Sequence, residues 1–221
     1  MITLILAESS LELVPPDLAR HPSITSHAQK LGRDASEILL DNSWHFAAMK
    51  GLRNEIKRGR PDLVHHSVLE AVSTPLYRRD GLNLFVHTIH DKVIRLGLQV
   101  RVPRSYHRFA GLVEKLYREG RVSAGDVLLE ISDMTLSGIL DEISPSAVIG
   151  LSSRGTPSSY AKVAADLPDG ACIIVGGFQK GGFSEKTSGL LDSAYSVEDM
   201  PLEGHVVISR MLYEYEKTIF M

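Results

Sequence analysis

Short apolar runs alternate with amphipathic segments in the second half of the chain, and this alternation limits the possible folds more than any other feature. The runs predict strands at 127–131, 147–151, 171–175 and 194–197. The segments between and after them predict helices at 136–143 and from about Glu203 to the end. This order is typical of an α/β protein with a mostly parallel sheet and helices on both faces.

The first half of the chain contributes further elements of the same kind. Its pattern predicts strands at 2–7 and 82–87, one or two more over 93–102, and helices at 43–52, from Pro61 and from Arg108. Proline lacks an amide hydrogen and therefore suits the first position of a helix. We expect Arg60 and Asp62 to lie together at the start of the helix that Pro61 begins.

A glycine-rich loop at 176–183 follows one of the apolar runs. Glycine lets a ligand approach the main chain, but GxGxxG and GxxxxGK[ST] are both absent, so the loop alone fits a plain turn or a ligand site. Polar or glycine-rich loops also follow two other strands, at 152–157 and 196–202. Because the strand ends of a parallel sheet share one edge, the three loops predict a composite pocket of backbone groups, suited to an uncharged ring such as adenine.

Charge is distributed unevenly along the chain, although the net charge is only −3. Residues 1–121 contain 18 basic and 13 acidic residues, a balance of +5, whereas residues 122–221 contain 6 and 14, a balance of −8. Seven basic and two acidic residues fall between Arg95 and Arg121. This cluster fits either a polyanion-binding surface or an ordinary solvated face.

The sequence offers little support for metal or nucleophile chemistry. The pairs His65-His66 and His87-x-x-His90 lack cysteine partners and a third ligand, so we expect no metal. Ser152-Ser153 lacks the context of a nucleophile elbow.

Few sequence features bear on where in the cell the protein is located, and they agree with one another. The apolar opening, residues 1–6, is too short to span a membrane, so we expect no membrane association. The only cysteine, Cys172, lies in an apolar run, where a small core residue is expected. A single cysteine excludes an internal disulfide and fits the cytoplasm.

Three separate motifs, in this order, resemble one protein family. They are Arg58-Gly59-Arg60-Pro61-Asp62, the segment RVPRSYHRFAGL at 101–112, and the loop Gly176-Gly177-Phe178-x-x-Gly181-x-Phe183-Ser184. Together they are similar to the ribosome-biogenesis pseudouridine N1-methyltransferases of the SPOUT superfamily, in the compact archaeal form. The resemblance runs from the first strand to the last helix.

The resemblance implies one SPOUT-type domain over 1–221. Its knotted cofactor-binding part would span about 127–221, with a C-terminal trefoil knot, and its RNA-binding connections about 53–121. It also implies S-adenosylmethionine as cofactor, a homodimer packed through the knot, and methylation of a pseudouridine at N1 in small-subunit ribosomal RNA. A knot does not follow from the pattern itself, since chains generally avoid knots.

The resemblance also implies roles for individual residues. Arg60 and Asp62 would form the catalytic pair, in which Asp62 is the acid that holds Arg60. The arginines that contact RNA would be Arg60, Arg101, Arg104 and Arg108. The cofactor-binding residues would be Thr156, Gly176, Gly181, Ser196, Val197, Glu198, Asp199, Met200, Pro201 and Leu202. The glycine loop departs from the family's usual sequence by having Gln179 and Gly182 in place of proline and aspartate.

Several alternatives remain open at the level of single residues. Arg60 and Asp62 also fit a structural salt bridge, and Asp62 fits either the partner that orients Arg60 or a proton acceptor. Tyr106 and His107 fit rings that stack on a flipped base, but Tyr106 fits a core position equally well. Tyr213 and Tyr215 fit packing or dimer contacts.

Two other functions remain open for the chain as a whole. One is an assembly factor that acts mainly by binding RNA. The other is a knotted methyltransferase that acts on transfer RNA.

Overall fold

A computed structural model describes residues 1–220, and one twisted sheet of eight strands runs through this part of the chain. The strands are β1 (Ile2–Ser9), β2 (Leu82–Thr88), β3 (Lys92–Leu96), β4 (Arg121–Ala124), β5 (Asp126–Asp133), β6 (Val148–Pro157), β7 (Cys172–Gly176) and β8 (Ser193–Ser196). Their spatial order is β4-β5-β3-β2-β1-β7-β6-β8. Neighbours from β2 to β8 pair in parallel, whereas β2–β3, β3–β5 and β4–β5 are antiparallel.

Nine helices connect and cover the strands within residues 1–220. They are α1 (Pro22–Leu31), α2 (Asn42–Met49), α3 (Pro61–Ser73), α4 (Pro75–Arg78), α5 (Tyr106–Glu119), α6 (Leu136–Ile143), α7 (Tyr160–Ala165), α8 (Glu185–Ser188) and α9 (Gly204–Phe220). Single 3₁₀ turns lie at Pro16–Leu18, Ala35–Glu37 and Glu55–Lys57. No helix in the described chain combines the length and apolar character needed to cross a membrane.

The central strand β1 carries the core on both of its faces. Leu4 and Leu6 pack with apolar residues of α3, α5 and α9, whereas Ile5 and Ala7 pack with those of α6 on the opposite face. All eight residues of β1 are buried, as expected for a parallel strand covered on both sides. The predicted α/β class, a mostly parallel sheet with helices on both faces, is therefore confirmed.

The apolar stripe of the last helix belongs to this core. Ile208, Met211, Leu212 and Tyr215 of α9 are buried within their own chain, and Ile219 lies exposed beyond them. Tyr215 is thus a packing residue, whereas Tyr213 is exposed. The stripe is used internally, so it gives no support for a dimer.

The segment 126–133 corrects the sequence prediction for the sheet. The strand predicted at 127–131 is present as β5, but it pairs antiparallel with β3 and with β4, which the sequence did not predict. Gly125 joins β4 to β5 with a φ of +87°, a conformation open mainly to glycine, and so permits the tight reversal.

The strand prediction over 93–102 is also wrong beyond residue 96. The strand ends at Leu96. Gly97 still donates its amide to the Leu128 carbonyl of β5 (2.9 Å), and a Cβ at this position would lie 2.5 Å from the Val127 carbonyl oxygen. The Val100 amide donates to the Tyr77 hydroxyl (3.2 Å) and not to a neighbouring strand. Arg101 therefore lies in a loop, and the following helix begins at Tyr106, two residues before the predicted Arg108.

The predicted loop at 152–157 proved to be an irregular continuation of β6. The register against β8 shifts between Leu151 and Thr156. Gly155 makes the bend possible, since a Cβ there would lie 2.5 Å from the Tyr195 backbone nitrogen. This segment still reaches the edge of the sheet where the other two loops lie.

Candidate functional site

Three strand-end segments meet around one cavity at the carboxyl edge of the parallel strands. The cavity has a volume of about 360 Å³ and is bordered by residues of 152–154, 176–183 and 196–202. This volume lies in the range of small-molecule sites, which often occupy the carboxyl edge of such sheets. The composite pocket predicted from the three loops is therefore present.

Most of the proposed cofactor-binding residues line this cavity. The lining includes Gly176, Gly181, Ser196, Val197, Glu198, Met200, Pro201 and Leu202. Thr156 and Asp199 do not line it; both are exposed, and Thr156 pairs with Tyr195 across β6 and β8. The register shift in β6 lies between Leu151, which lines the cavity, and Thr156, which does not.

Sequence reasoning missed several lining residues. Arg154 and Lys180 bring positive charge to the cavity, and Tyr160 and Val207 reach it from α7 and α9. Arg154 lies against Gly182, because a Cβ at Gly182 would be 3.1 Å from its guanidinium. The loops that carry Arg154 and Lys180 were predicted, but the direction of their side chains was not. Nothing in the sequence pattern indicated that α7 would contribute.

Glycine is required in the loop because the main chain packs closely there. At Gly177 a Cβ would lie 2.9 Å from the Ser9 Cα. Its amide donates to the Ala7 carbonyl (2.9 Å), and its carbonyl accepts from the Ser10 amide (2.8 Å). Gly181 has a φ of +99°, which side chains other than hydrogen rarely allow. The loop is thus fixed to the end of β1 by its backbone.

A buried ion pair ties the same loop to the segment that precedes Arg60. The Glu8 carboxylate accepts hydrogen bonds from the Lys57 ammonium and from the Ser184 amide (2.8 Å). The Lys57 nitrogen also lies 4.2 Å from the centre of the Phe178 ring. Burial alone would raise the pKa of Glu8, but the hydrogen bonds from Lys57 and Ser184 outweigh it and lower the pKa. The carboxylate therefore stays ionised and links β1, the glycine loop and residue 57.

Arg60 and Asp62 form the predicted pair at the start of α3. The guanidinium donates two parallel hydrogen bonds to the carboxylate, Nε to Oδ1 and Nη2 to Oδ2, each 2.8 Å long. Burial opposes ionisation of Asp62, but the bonds from Arg60 more than compensate and lower its pKa. A carboxylate with a lowered pKa is a poor proton acceptor, so the geometry favours the orienting role for Asp62.

Two further carboxylates, those of Glu203 and Asp41, act on Arg60 through their negative charge. The hydrogen bond to Asp62, then the charges of Glu203 and Asp41, raise the pKa of Arg60 above its usual value. Glu203 directly follows the cavity residue Leu202, so Arg60 is within electrostatic range of the cavity wall. Arg60 is thus held close to, but outside, the lining of the cavity.

The Tyr106 hydroxyl is anchored in the structure. Burial, then the hydrogen bond that the hydroxyl donates to Asp41, raises the pKa of Tyr106. The ring faces His65 at a centroid distance of 6.1 Å. The structure therefore favours the interpretation of Tyr106 as a packed ring over that of a ring that stacks on a flipped base. His107, in contrast, is exposed.

Arg101, Arg104 and Arg108 are all exposed, the first two on the connection from β3 to α5 and the third in the first turn of α5. None of the three lies within salt-bridge distance of an acidic group in residues 1–220. His65 pins the connection to α3, since its Nε2 donates to the Pro103 carbonyl (2.7 Å). The three arginines are therefore exposed to solvent on a segment that is held against α3, the helix that begins at Pro61.

The histidines that suggested a metal site have other partners. His87 accepts from the Glu8 amide (3.3 Å) and contacts Asp91 (3.0 Å), while His90 contacts Glu12 (2.8 Å). Within residues 1–220 no group of three or more His, Cys, Asp or Glu residues is arranged to hold a metal ion.

A cavity formed by three loops at the carboxyl edge of a mostly parallel sheet is typical of α/β proteins that bind small ligands. The sequence profile of the family described as EMG1/NEP1 methyltransferase matches residues 4–216. The chain therefore belongs to the EMG1/NEP1 methyltransferase family.

Individual relatives are similar over almost their whole length. The Ribosomal RNA small subunit methyltransferase Nep1 of Staphylothermus marinus is 37% identical over 216 residues, covering 96% of this chain and 93% of the relative. Its namesake in Thermococcus sibiricus is 37% identical over 222 residues, covering 99% of each. The crystal structure of Archaeoglobus fulgidus Nep1 bound to S-adenosylhomocysteine is 33% identical, with a TM-score of 0.88 over 97% of both chains.

Proposed function

We propose that this protein transfers a methyl group from S-adenosylmethionine to N1 of a pseudouridine in small-subunit ribosomal RNA, as a step in ribosome biogenesis. The observation that carries this proposal is the cavity formed by three loops at the edge of the sheet, in a chain of the EMG1/NEP1 methyltransferase family. The similarity to a Nep1 that binds S-adenosylhomocysteine, the product of such a transfer, supports the choice of cofactor.

The cavity fits this cofactor in its chemistry. Its walls come mainly from three loops, and a Cβ at Gly176 would lie 2.8 Å from the Phe178 ring, so a side chain at position 176 would press on another residue of the wall. The residues that would hold the cofactor are Gly176, Gly181, Ser196, Val197, Glu198, Met200, Pro201 and Leu202. Thr156 and Asp199 would act only from outside the cavity. When bound, S-adenosylmethionine supplies an electrophilic methyl group.

The chain's own residues hold the acceptor base and stabilise its charge. Methyl transfer depends on placing the acceptor nitrogen in line with the methyl carbon, and positioning alone supplies much of the rate. As the nitrogen loses its proton to solvent, negative charge develops on the ring carbonyls. Arg60 stabilises that charge, and the ionised Asp62 keeps Arg60 in place through two hydrogen bonds.

We also propose the architecture that the family resemblance implies. The chain would form one SPOUT-type domain, with RNA-binding connections at about 53–121 and a knotted cofactor part at about 127–221. The path after β8 supports a knot: the chain crosses back from the edge strand, and a Cβ at Gly204 would lie 3.2 Å from the Gly176 carbonyl of β7.

A homodimer packed through the knot and a cytoplasmic location complete the proposal. Exposed apolar side chains near this region, Met200, Tyr213, Ile219 and Phe220, would be covered by a second copy. Light scattering distinguishes the dimer from a monomer. The single cysteine, Cys172, is buried and fits a reducing compartment.

Methyl transfer to matched RNA hairpins tests the proposed function. The protein is expected to methylate a small-subunit hairpin that contains pseudouridine and to leave the same hairpin with uridine unmodified, as measured by mass spectrometry. Gly181→Val is expected to abolish transfer and cofactor binding, because valine cannot adopt a φ of +99° without strain. Equal methylation of both hairpins would contradict the N1 assignment, and transfer to tRNA alone would contradict the ribosomal substrate.

The exposed arginines are expected to set the salt dependence of RNA binding. Replacing Arg101, Arg104 or Arg108 with alanine should reduce the slope of log affinity against log salt by roughly 0.7 each, the value for one phosphate contact with a single strand. Arg121→Ala is the control, because Arg121 is paired with Glu130 (2.7 Å) at the far edge of the sheet. Filter binding across a salt series measures the slopes. If all three variants keep the wild-type slope, the arginines do not contact the RNA backbone.

A further inference from the structure

Trp44 is the only tryptophan in the chain, and it lies on the surface. Its side chain, on the first turn of α2, is 47% exposed. The His27 ring of α1 stacks on it with a centroid distance of 4.6 Å and an interplanar angle of 12°. The Lys30 nitrogen lies 5.5 Å from the tryptophan ring centre. We call these three residues, His27, Lys30 and Trp44, the Trp44 platform.

A buried hydrogen-bond chain fixes the platform from below. His45 is fully buried, and its Nδ1 accepts from the Asp41 amide (3.1 Å), so its proton lies on Nε2. That nitrogen is 3.0 Å from His27 Nδ1 and donates to it. Burial lowers the pKa of His45 to about 4, so this arrangement persists at neutral pH. The exposed indole is therefore preorganised instead of free to rotate.

The same turn of α2 is attached to both RNA-binding segments of the proposed function. The Asn42 amide donates to the Gly59 carbonyl (2.9 Å), next to Arg60. The Asp41 carboxylate accepts from the hydroxyl of Tyr106, which lies between Arg104 and Arg108 in the sequence. The turn that carries Trp44 is thus joined directly to the segments that carry Arg60, Arg104 and Arg108.

We propose that the Trp44 platform stacks an unpaired base of the substrate RNA, next to the nucleotide that is methylated. This proposal rests on the proposed function and extends its RNA surface. Every base has a π face that stacks on an aromatic ring, and RNA is generally recognised through such unpaired bases. Lys30 at the ring, together with the exposed arginines of the attached segment, complements a polyanion, which favours RNA over a protein partner as the occupant.

Tryptophan fluorescence tests the proposal directly, since all indole emission comes from Trp44. A hairpin with an unpaired loop is expected to quench the emission as it binds. A blunt RNA duplex of the same length, which binds through its phosphates alone, is expected to leave it unchanged. Saturating binding of the hairpin without quenching would overturn the proposal, and so would equal quenching by both RNAs.

A matched pair of variants measures how much Trp44 contributes to the free energy of RNA binding. Trp44→Leu is expected to weaken hairpin binding by about tenfold or more, as for loss of one stacked base, with an unchanged salt slope. Phe46→Leu is the control: Phe46 is 62% exposed on the same helix, beyond the buried His45 and outside the platform. Both variants are expected to bind S-adenosylhomocysteine as the wild type does. Equal losses of RNA affinity would indicate a general effect on α2 and contradict stacking by Trp44.

The outcome is separable from that of the proposed function. Quenching and a selective loss in Trp44→Leu, without any methyl transfer to the hairpin, would support the platform and reject the enzymatic proposal. Methyl transfer to the pseudouridine hairpin without quenching would do the reverse.

Discussion

Glu12→Ala is expected to lower the free energy of unfolding by about 3–5 kcal/mol, the cost of leaving a buried charge without its partner. Glu12 accepts two hydrogen bonds from Arg58, from Nε (2.7 Å) and from Nη2 (2.6 Å), and a third contact from His90 (2.8 Å). The side chains of Arg58 and Glu12 are only 8% and 5% exposed. Arginine cannot lose its proton in response, so the guanidinium would remain charged and unpaired.

The size of this effect follows from burial, and a surface pair provides the control. Arg95 and Glu142 form a similar two-bonded pair, but their side chains are 26% and 48% exposed. Glu142→Ala is expected to cost less than about 1 kcal/mol, since water solvates the arginine that remains. Urea denaturation measures both variants.

The double replacement Glu12→Leu with Arg58→Met separates lost packing from the buried charge. It is expected to recover much of the stability, because apolar side chains of similar volume replace buried ion pairs at little cost. If Glu12→Ala costs no more than Glu142→Ala, water reaches the Arg58 guanidinium and the pair is not a buried one.

Arg58 illustrates what the sequence could and could not predict. The motif at 58–62 was visible, but nothing in it separated Arg58, which is buried against Glu12, from Arg60, which is paired with Asp62 at the start of α3. Glu12 is 46 residues away in the sequence. Local pattern predicts which residue types occur near a site, whereas long-range ion pairs depend on how separate segments meet.

The strands and the pocket were predictable for a different physical reason. Apolar runs must be buried, and parallel strands bring their ends to one edge, so the cavity followed from 152–157, 176–183 and 196–202 alone. Whether neighbouring strands pair in parallel or antiparallel was harder to predict from the sequence. The hairpin of β4 and β5 depends on one turn at Gly125 and gives almost no periodic signal.

The anchoring of the glycine loop was invisible at the level of sequence. Glu8 lies at the end of an apolar strand and Lys57 in a polar connection, and each would ordinarily be solvated. Only the folded chain brings both to Phe178 and Ser184. Through Lys57 the loop is connected to the segment that carries Arg60, three residues further on.

Arg60→Ala is expected to lower the single-turnover rate of methyl transfer by roughly 100- to 1000-fold, as for loss of one donor that stabilises developing charge. The dissociation constant for RNA should change far less, because an interaction that strengthens in the transition state acts on the rate more than on binding. Asp62→Ala should resemble Arg60→Ala, since the two bonds of 2.8 Å that orient the guanidinium would be lost. Rapid-quench methylation and filter binding on the same samples measure the two effects.

The double replacement of Arg60 and Asp62 distinguishes a working unit from two independent contributions. If Asp62 acts only through Arg60, the double variant should be no slower than Arg60→Ala alone, because the energies of coupled residues do not add. Arg121→Ala, which removes an exposed arginine at the far edge of the sheet, should leave rate and affinity unchanged. Full turnover in Arg60→Ala would remove Arg60 from the active site. A double variant whose losses multiply would give Asp62 a separate role, such as contact with the substrate, despite the lowered pKa that disfavours proton uptake.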